Sequence, residues 1–191
     1  AYRHVIGSDP GSDALVYEET DERYELDCWL SQSGAYVILH SGSMLTTEVR
    51  LVDAKKPESA PVLVAPRIEG QEYYVEHAPT SAGGKVVDRL VLRVNDQGPT
   101  YRLVSAPTGT PGRDHWTQIR AVDPSVMLEE LTAFETFMVV EVREGGLPHL
   151  EVLGPDGRTI DRIAMPDPVY EVSLEQNPEF ATGEIRYAYQ S

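Results

Sequence analysis

The sequence predicts an all-β fold, a fragment of a β-propeller made of four-stranded antiparallel blades. Helix-length windows free of breakers are scarce, because 15 glycines and 14 prolines are spread through the 191 residues. Short runs rich in β-branched and aromatic residues recur between turn residues, and apolar and polar positions alternate within them at the period of a strand. These runs also repeat as a set at a spacing of about fifty residues, the length of a propeller blade.

The repeat is clearest in Glu48–Val52, Thr100–Val104 and His149–Leu153. Val49, Tyr101 and Leu150 correspond, as do Leu51, Leu103 and Val152. About eleven residues before Val49, Tyr101 and Leu150 lies the middle of another run, at Ile38, Leu90 and Val139. Those runs are Tyr36–Leu39, Leu90–Val94 and Phe137–Val142, each joined to its follower by a hairpin loop. A further strand follows each time, at Pro61–Val64, Trp116–Ile119 and Thr159–Ile163. Another precedes each time, at Tyr24–Leu30, Glu72–His77 and Val126–Leu131. The repeat unit therefore holds four strands, and a plain β-sandwich leaves the constant offset unexplained.

Before these blades, His4–Ile6 and Ala14–Tyr17 read as the last two strands of another. After them, Val169–Leu174 and Glu184–Tyr189 read as the first two strands of a fifth. The expected division is a half-blade at 1–19, blades at 20–66, 67–122 and 123–165, and a half-blade at 166–191. A chain that begins without Met and starts and stops in mid-blade is expected to be a piece of something longer.

An apolar content of 41% is enough to build a core. The longest clear apolar run, Ala35–Leu39, falls far short of a membrane helix, and the N-terminus has no secretory signal pattern. The single cysteine, Cys28, has no internal disulfide partner, so a reducing cytoplasm is the expected compartment. Inside Leu26–Leu30 it reads as a small buried hydrophobe. The formal net charge of -15 argues against nucleic acid and is compatible with a basic ligand. The acidic stretch Glu18–Arg23 reads as a solvated connection between two blades.

Residue chemistry points away from catalysis. The Gly-x-Ser-x-Gly elbow of an α/β-hydrolase does not occur, and nothing specific supports a Ser-His-Asp triad. His4, His40, His77, His115 and His149 are scattered, without the short spacing of metal ligands. His77 reads as a hydrogen-bonded structural histidine, and Asp156-Gly157 as a turn. Trp29 and Trp116 read as packing between blades. No catalytic, cofactor-binding or metal-binding residue is expected in this chain.

Several stretches go beyond architecture. Tyr2–Pro10, followed by Leu15-Val-Tyr-Glu-Glu19, resembles the propeller of the prolyl oligopeptidase family of serine peptidases, most closely its oligopeptidase B branch. So do Ser31-x-Ser-Gly-x-Tyr36, Thr46-Thr-Glu-Val49 and Ala65-Pro-Arg-x-x-Gly-x-Glu-Tyr73. Gly145-Gly-Leu-Pro148, Asn177-Pro-Glu-Phe180 and Arg186-Tyr-x-Tyr189 complete an ordered set along nearly the whole chain. Two places depart from the family. Asn95–Leu103 replaces its Asn-rich loop, and the Ser81–Lys85 turn is enlarged.

The resemblance implies a peptidase whose separate α/β-hydrolase domain carries the Ser-Asp-His triad. The propeller covers that site and admits short peptides, with cleavage after Arg or Lys. The hairpin loops Ser41–Thr46, Asn95–Gly98 and Glu144–Gly146 occupy the same place in each blade. By resemblance that face looks at the catalytic domain, which makes Ser43, Met44 and Arg143 candidates for the peptide path or the domain interface. The alternative is a stand-alone propeller that binds proteins, and the two readings separate on whether the reading frame continues into a serine elbow. Self-association is also expected, with Ile185–Tyr189 docking beside Tyr2–Ile6. Pairing between two molecules is favoured over closure of one chain into a tighter four-bladed ring.

Overall fold

A computed structural model describes residues 1–82 and 85–191, and in it the chain is all-β. Strands β1 (Tyr2–Arg3) and β2 (Ala14–Leu15) form a two-stranded sheet. A four-stranded sheet follows, made of β3 (Glu25–Leu30), β4 (Tyr36–Gly42), β5 (Thr47–Asp53) and β6 (Val62–Ala65), hydrogen-bonded in chain order. The second sheet opens with β7 (Tyr73–His77). A small hairpin is inserted next, β8 (Thr80–Ala82) with β9 (Lys85–Val87), and the sheet resumes with β10 (Arg89–Val94), β11 (Arg102–Pro107) and β12 (Thr117–Arg120). The third consists of β13 (Val126–Ala133), β14 (Met138–Glu144), β15 (Leu147–Leu153) and β16 (Thr159–Arg162). A last pair, β17 (Glu171–Leu174) and β18 (Tyr187–Gln190), forms its own sheet. All pairings are antiparallel. Gly83 and Gly84, within the Ser81–Lys85 stretch that the sequence reads as an enlarged turn, lie outside the described residues.

The apolar layers lie between sheets, so a central strand buries both of its faces. In β10, Leu90, Leu92 and Val94 pack toward the first sheet, against Ile38, Val49, Leu51 and Val64. Val91, one residue out of phase, packs the other way, with Leu103, Leu128, Met138 and Val140. Phe134, Val139 and Leu150 of the third blade meet Tyr170 and Val172 of the last pair. This is the side-by-side stacking of propeller blades.

One register differs from the sequence repeat. Leu51 stands opposite Ile38 and Val152 opposite Val139, but Ala106 rather than Leu103 stands opposite Leu90. The second blade has a longer loop before β11. Tyr101, aligned above with Val49, lies in that loop with a left-handed φ of 63°. Its strain is offset by a hydrogen bond from its hydroxyl to Glu72 (2.7 Å) and by the Arg93 guanidinium 4.3 Å from its ring centroid.

The N-terminal strand also differs: it covers Tyr2–Arg3, whereas His4–Ile6 leaves the sheet. The chain turns there, with Ser8 N–H on Val5 C=O and Gly7 at φ 90°. Among the described residues the β1–β2 and β17–β18 sheets do not pair with each other.

Because each sheet runs antiparallel in chain order, the turns between second and third strands share an edge with the connections between blades. The turns between first and second strands lie at the opposite edge. There the β17–β18 connection reaches across: Gln32 donates to the Asn177 carbonyl, and Glu135 N–H to the Phe180 carbonyl at 3.0 Å.

Gly157 illustrates how closely the blades approach. It has φ +82°, and a Cβ there falls 2.7 Å from the backbone oxygen of Ile119 in the preceding blade. Gly157→Ala is expected to destabilise the protein by about 2 kcal/mol. Gly34→Ala, at φ +69° in open space, tests the conformational part alone and is expected to cost less. Paired thermal melts of the two variants measure the difference.

Candidate functional site

The first two blades are fastened at the shared edge by residues of two conspicuous motifs, Thr46–Val49 and Ala65–Tyr73. The fully buried Tyr73 sends its hydroxyl into the first sheet. It accepts the Val49 N–H at 2.8 Å and the Ala65 N–H at 3.3 Å, and donates to the Ala65 carbonyl at 2.6 Å. The β5–β6 ladder shifts register between Val49 and Arg50, which opens space for that oxygen. Thr47 Oγ1 binds the Tyr73 backbone in return, donating to its carbonyl at 2.8 Å and accepting its N–H at 2.7 Å. Thr46 Oγ1 accepts the Gly70 N–H at 3.0 Å, and Gly70 takes φ +80° to present it. Burial pushes the Tyr73 phenol up to about 12, so it stays a neutral donor across the working pH range.

Arg67 is the charged half of the same fastening. Its guanidinium lies 2.6 Å from Glu19 and 3.2 Å from Glu48, and 3.9 Å from the centroid of Tyr24. Arg50 pairs with Glu48 at 2.6 Å and stacks over Tyr17. Burial works to raise the Glu48 carboxyl, but hydrogen bonds from Arg67 and Arg50 outweigh it and hold it below the usual carboxylate range. The same balance, burial against Arg67, lowers Glu19. Both pairs thus support folding above the ordinary carboxylate value of 4.5 and weaken as pH falls through the lowered values. The acidic stretch is therefore not simply a solvated connection: Glu19 is a buried ion-pair partner, while Asp21 and Arg23 form a local bidentate pair at 3.0 and 2.7 Å.

Over this fastening opens a cleft of about 700 Å³, lined by Arg23, Tyr24, Ser43, Met44, Arg67 and Glu69. Ser43 closes the β4–β5 turn, its N–H and hydroxyl both on the Thr46 carbonyl at 2.9 and 3.2 Å. Met44 stands out from the turn, 90% exposed. The structure brings Ser43 and Met44 into one cleft and leaves Arg143 out of its lining. Arg143 belongs to the third blade, where it forms a bidentate pair with Glu129 (2.6 and 3.3 Å) and donates to Gly146 C=O. Gly145 and Gly146, at φ 59° and 88°, make that hairpin's two-residue turn.

At the opposite edge a Ser-His-Asp string does assemble, which sequence order alone did not reveal. Ser33 Oγ lies 2.6 Å from His77 Nδ1, and His77 Nε2 lies 2.6 Å from Asp88 Oδ1. A triad works with its serine facing substrate and its carboxylate buried. Ser33 Oγ is instead tied to Ser31 Oγ at 3.0 Å and accepts the Ala35 N–H at 3.3 Å. Asp88 is 54% exposed and shared with Thr108 at 2.6 Å. The string latches the first blade's turn to the second blade, consistent with a structural histidine.

Two sequence expectations are corrected. Cys28 is exposed rather than buried: it lines an open cleft beside Ala1, Tyr2, Arg3 and Val16, where the short N-terminal sheet stands in place of a full blade. Trp29 is 40% exposed and lines a second cavity, whereas Trp116 does pack between blades, edge-on to Tyr73. Among the described residues no cluster of three or more His, Cys, Asp or Glu is placed to hold a metal, and no helix is long and apolar enough to cross a membrane.

Four-stranded sheets stacked through interblade cores, with their turns gathered at two edges, define a β-propeller scaffold. Residues 1–191 match the family described as prolyl oligopeptidase, N-terminal beta-propeller domain. The chain belongs to that family, as part of its propeller. It is 33% identical over 189 residues to dipeptidyl aminopeptidase BI of Pseudoxanthomonas mexicana, covering 98% of this chain and 25% of that protein. It is 29% identical to protease 2 of Moraxella lacunata, covering 100% and 26%. Among solved structures it superposes on oligopeptidase B from Trypanosoma brucei, with antipain covalently bound, at a TM-score of 0.88 and 25% identity, covering 100% of this chain and 27% of that one. The chain thus spans about a quarter of the length of these relatives.

Proposed function

We infer that this chain is the non-catalytic, substrate-gating propeller part of a cytosolic serine oligopeptidase that cleaves short peptides after Arg or Lys. The match of all 191 residues to the family's propeller domain carries the reading. In the parent chain the propeller is joined to an α/β-hydrolase domain that supplies the Ser-Asp-His triad. The net charge of -15 supports basic substrates, since a funnel of negative potential concentrates cationic peptides at its mouth. Ser43, Met44 and Arg143 lie along the peptide path or the domain interface.

Expression of the whole reading frame tests this. The whole protein is expected to cleave Arg- and Lys-containing reporter peptides, with kcat/KM falling as salt is raised, and a serine-directed inhibitor is expected to block it. The 191-residue chain alone is expected to be inactive. Ser33→Ala in the whole protein is expected to leave kcat unchanged, because Ser33 belongs to the latch. Absence of cleavage by the whole protein overturns the reading.

Met44→Ala gives a finer check. Its exposure means that stability should change by less than about 0.5 kcal/mol. KM for basic peptides is expected to rise about threefold, in line with loss of a small apolar contact. Unchanged kinetics and unchanged interdomain stability remove Met44 from the path.

A further inference from the structure

The first strands of three consecutive blades converge on a cavity of about 130 Å³ that the interblade fastening does not use. Trp29 of β3, Tyr74 and Glu76 of β7, Arg93 of β10 and Glu130 of β13 line it. Glu76 is the unusual member. Its Oε2 is shut off from solvent and has no hydrogen-bond partner. A buried carboxylate oxygen left in that state is costly, and proteins rarely keep one without use.

The cavity's own cation does not supply the missing donor. The Arg93 guanidinium is held 4.2 Å from the Tyr74 ring centroid and 4.3 Å from that of Tyr101, and donates to the Leu128 carbonyl at 3.0 Å. The charged group that faces Glu76 from the next blade is another carboxylate, Glu130. Trp29 packs on His40 at 5.7 Å and leaves part of its ring open. The site therefore offers an unfilled buried acceptor, a second exposed acceptor and an aromatic surface. Its volume is that of about four waters, enough for the head of one long side chain.

We propose that this cavity is a subsite for a cationic side chain of a peptide, a guanidinium or an ammonium, whose N–H groups fill the free Glu76 oxygen and pair with Glu130 while its stem lies on Trp29. The assignment rests on the reading of this propeller as a path for basic peptides, and adds where on the propeller the cation is held.

A proton is linked to the binding. Burial, reinforced by Glu130, raises the Glu76 carboxyl to about 8. The titratable and charged groups around it are Glu130 from β13, Arg93 from β10 and Tyr74 on its own strand, while β3 contributes Trp29 to the lining and no charge. The empty site is protonated at neutral pH, so an entering cation displaces that proton to solvent. Binding is expected to tighten as pH rises toward 8.

The experiment is calorimetric titration of the full-length protein, its catalytic centre first filled with a covalent peptidyl-arginine aldehyde. The probes are N-acetyl-arginine amide and its neutral isostere, N-acetyl-citrulline amide, in two buffers of different ionisation heat. Arginine amide is expected to bind at least tenfold more tightly than citrulline amide, with proton release. Glu76→Gln is expected to weaken arginine binding at least tenfold and to abolish the proton release. Glu130→Gln, on the exposed rim, is expected to weaken it about threefold, and carries the test should Glu76→Gln fail to fold. Equal binding of the two probes, no binding of arginine amide, or undiminished binding by the variants overturns the proposal. Those results leave cleavage of basic peptides untouched, whereas loss of cleavage with the binding intact would sink the peptidase reading alone.

Discussion

Tyr73→Phe is expected to lower the unfolding free energy by about 3 kcal/mol, more than other single-atom deletions in this chain, because it strands three buried groups at once. The Val49 N–H, the Ala65 N–H and the Ala65 carbonyl all meet the one phenolic oxygen. Phenylalanine keeps the ring's packing against Trp116 and the apolar layer between the blades, so the loss isolates the hydroxyl. Thr47→Val is the complementary change. It removes the Oγ1 that both accepts from and donates to the Tyr73 backbone, and is expected to cost about 2 kcal/mol. The two side chains act on the same joint, so the double variant is expected to lose less than the sum. Urea unfolding of the four proteins measures this. A Tyr73→Phe loss below about 0.5 kcal/mol would show that the blades are held by apolar packing alone.

Glu76→Gln is expected to become progressively more favourable than the parent as pH rises. Burial and the neighbouring Glu130 raise this carboxyl from 4.5 to about 8. Between those values the folded protein holds the proton while the unfolded chain has lost it. The folded state then binds more protons, so the parent loses stability with rising pH. The contribution is fully present below 4.5, has gone by about 8, and does not change further once both states are ionised. Each pH unit in the window is worth about 1.4 kcal/mol. Glutamine, with no proton to lose, escapes that slope. In denaturant titrations without added cation, the variant's advantage is expected to widen by several kcal/mol from about pH 5 to about pH 8. A difference that stays constant with pH would show that Glu76 is ionised in the folded protein.

The all-β class and most of the strands were legible in the residues, because each depends on local chemistry. Alternation at period two selects strands, and Gly-Gly at φ 59° and 88° can make only a tight hairpin. The family motifs were legible too, though not what they do. Thr46–Val49 and Ala65–Tyr73 turn out to be two halves of one joint, meeting across the blade interface. Partnership of that kind has no local signal, since the residues that satisfy Tyr73 lie on another sheet. The same reason explains the misreadings. Cys28 and Trp29 sit in a run whose composition says buried, but exposure depends on which sheet stands opposite the strand. The aligned Leu103 pairs with Arg93 and not with Leu90, because a loop of different length resets a register that repetition alone treats as constant. Glu19 stands in an acidic run and Glu76 in an alternating strand, and neither setting announces its partner. Tertiary packing gives the first an arginine and the second another carboxylate, and so drives their proton affinities in opposite directions.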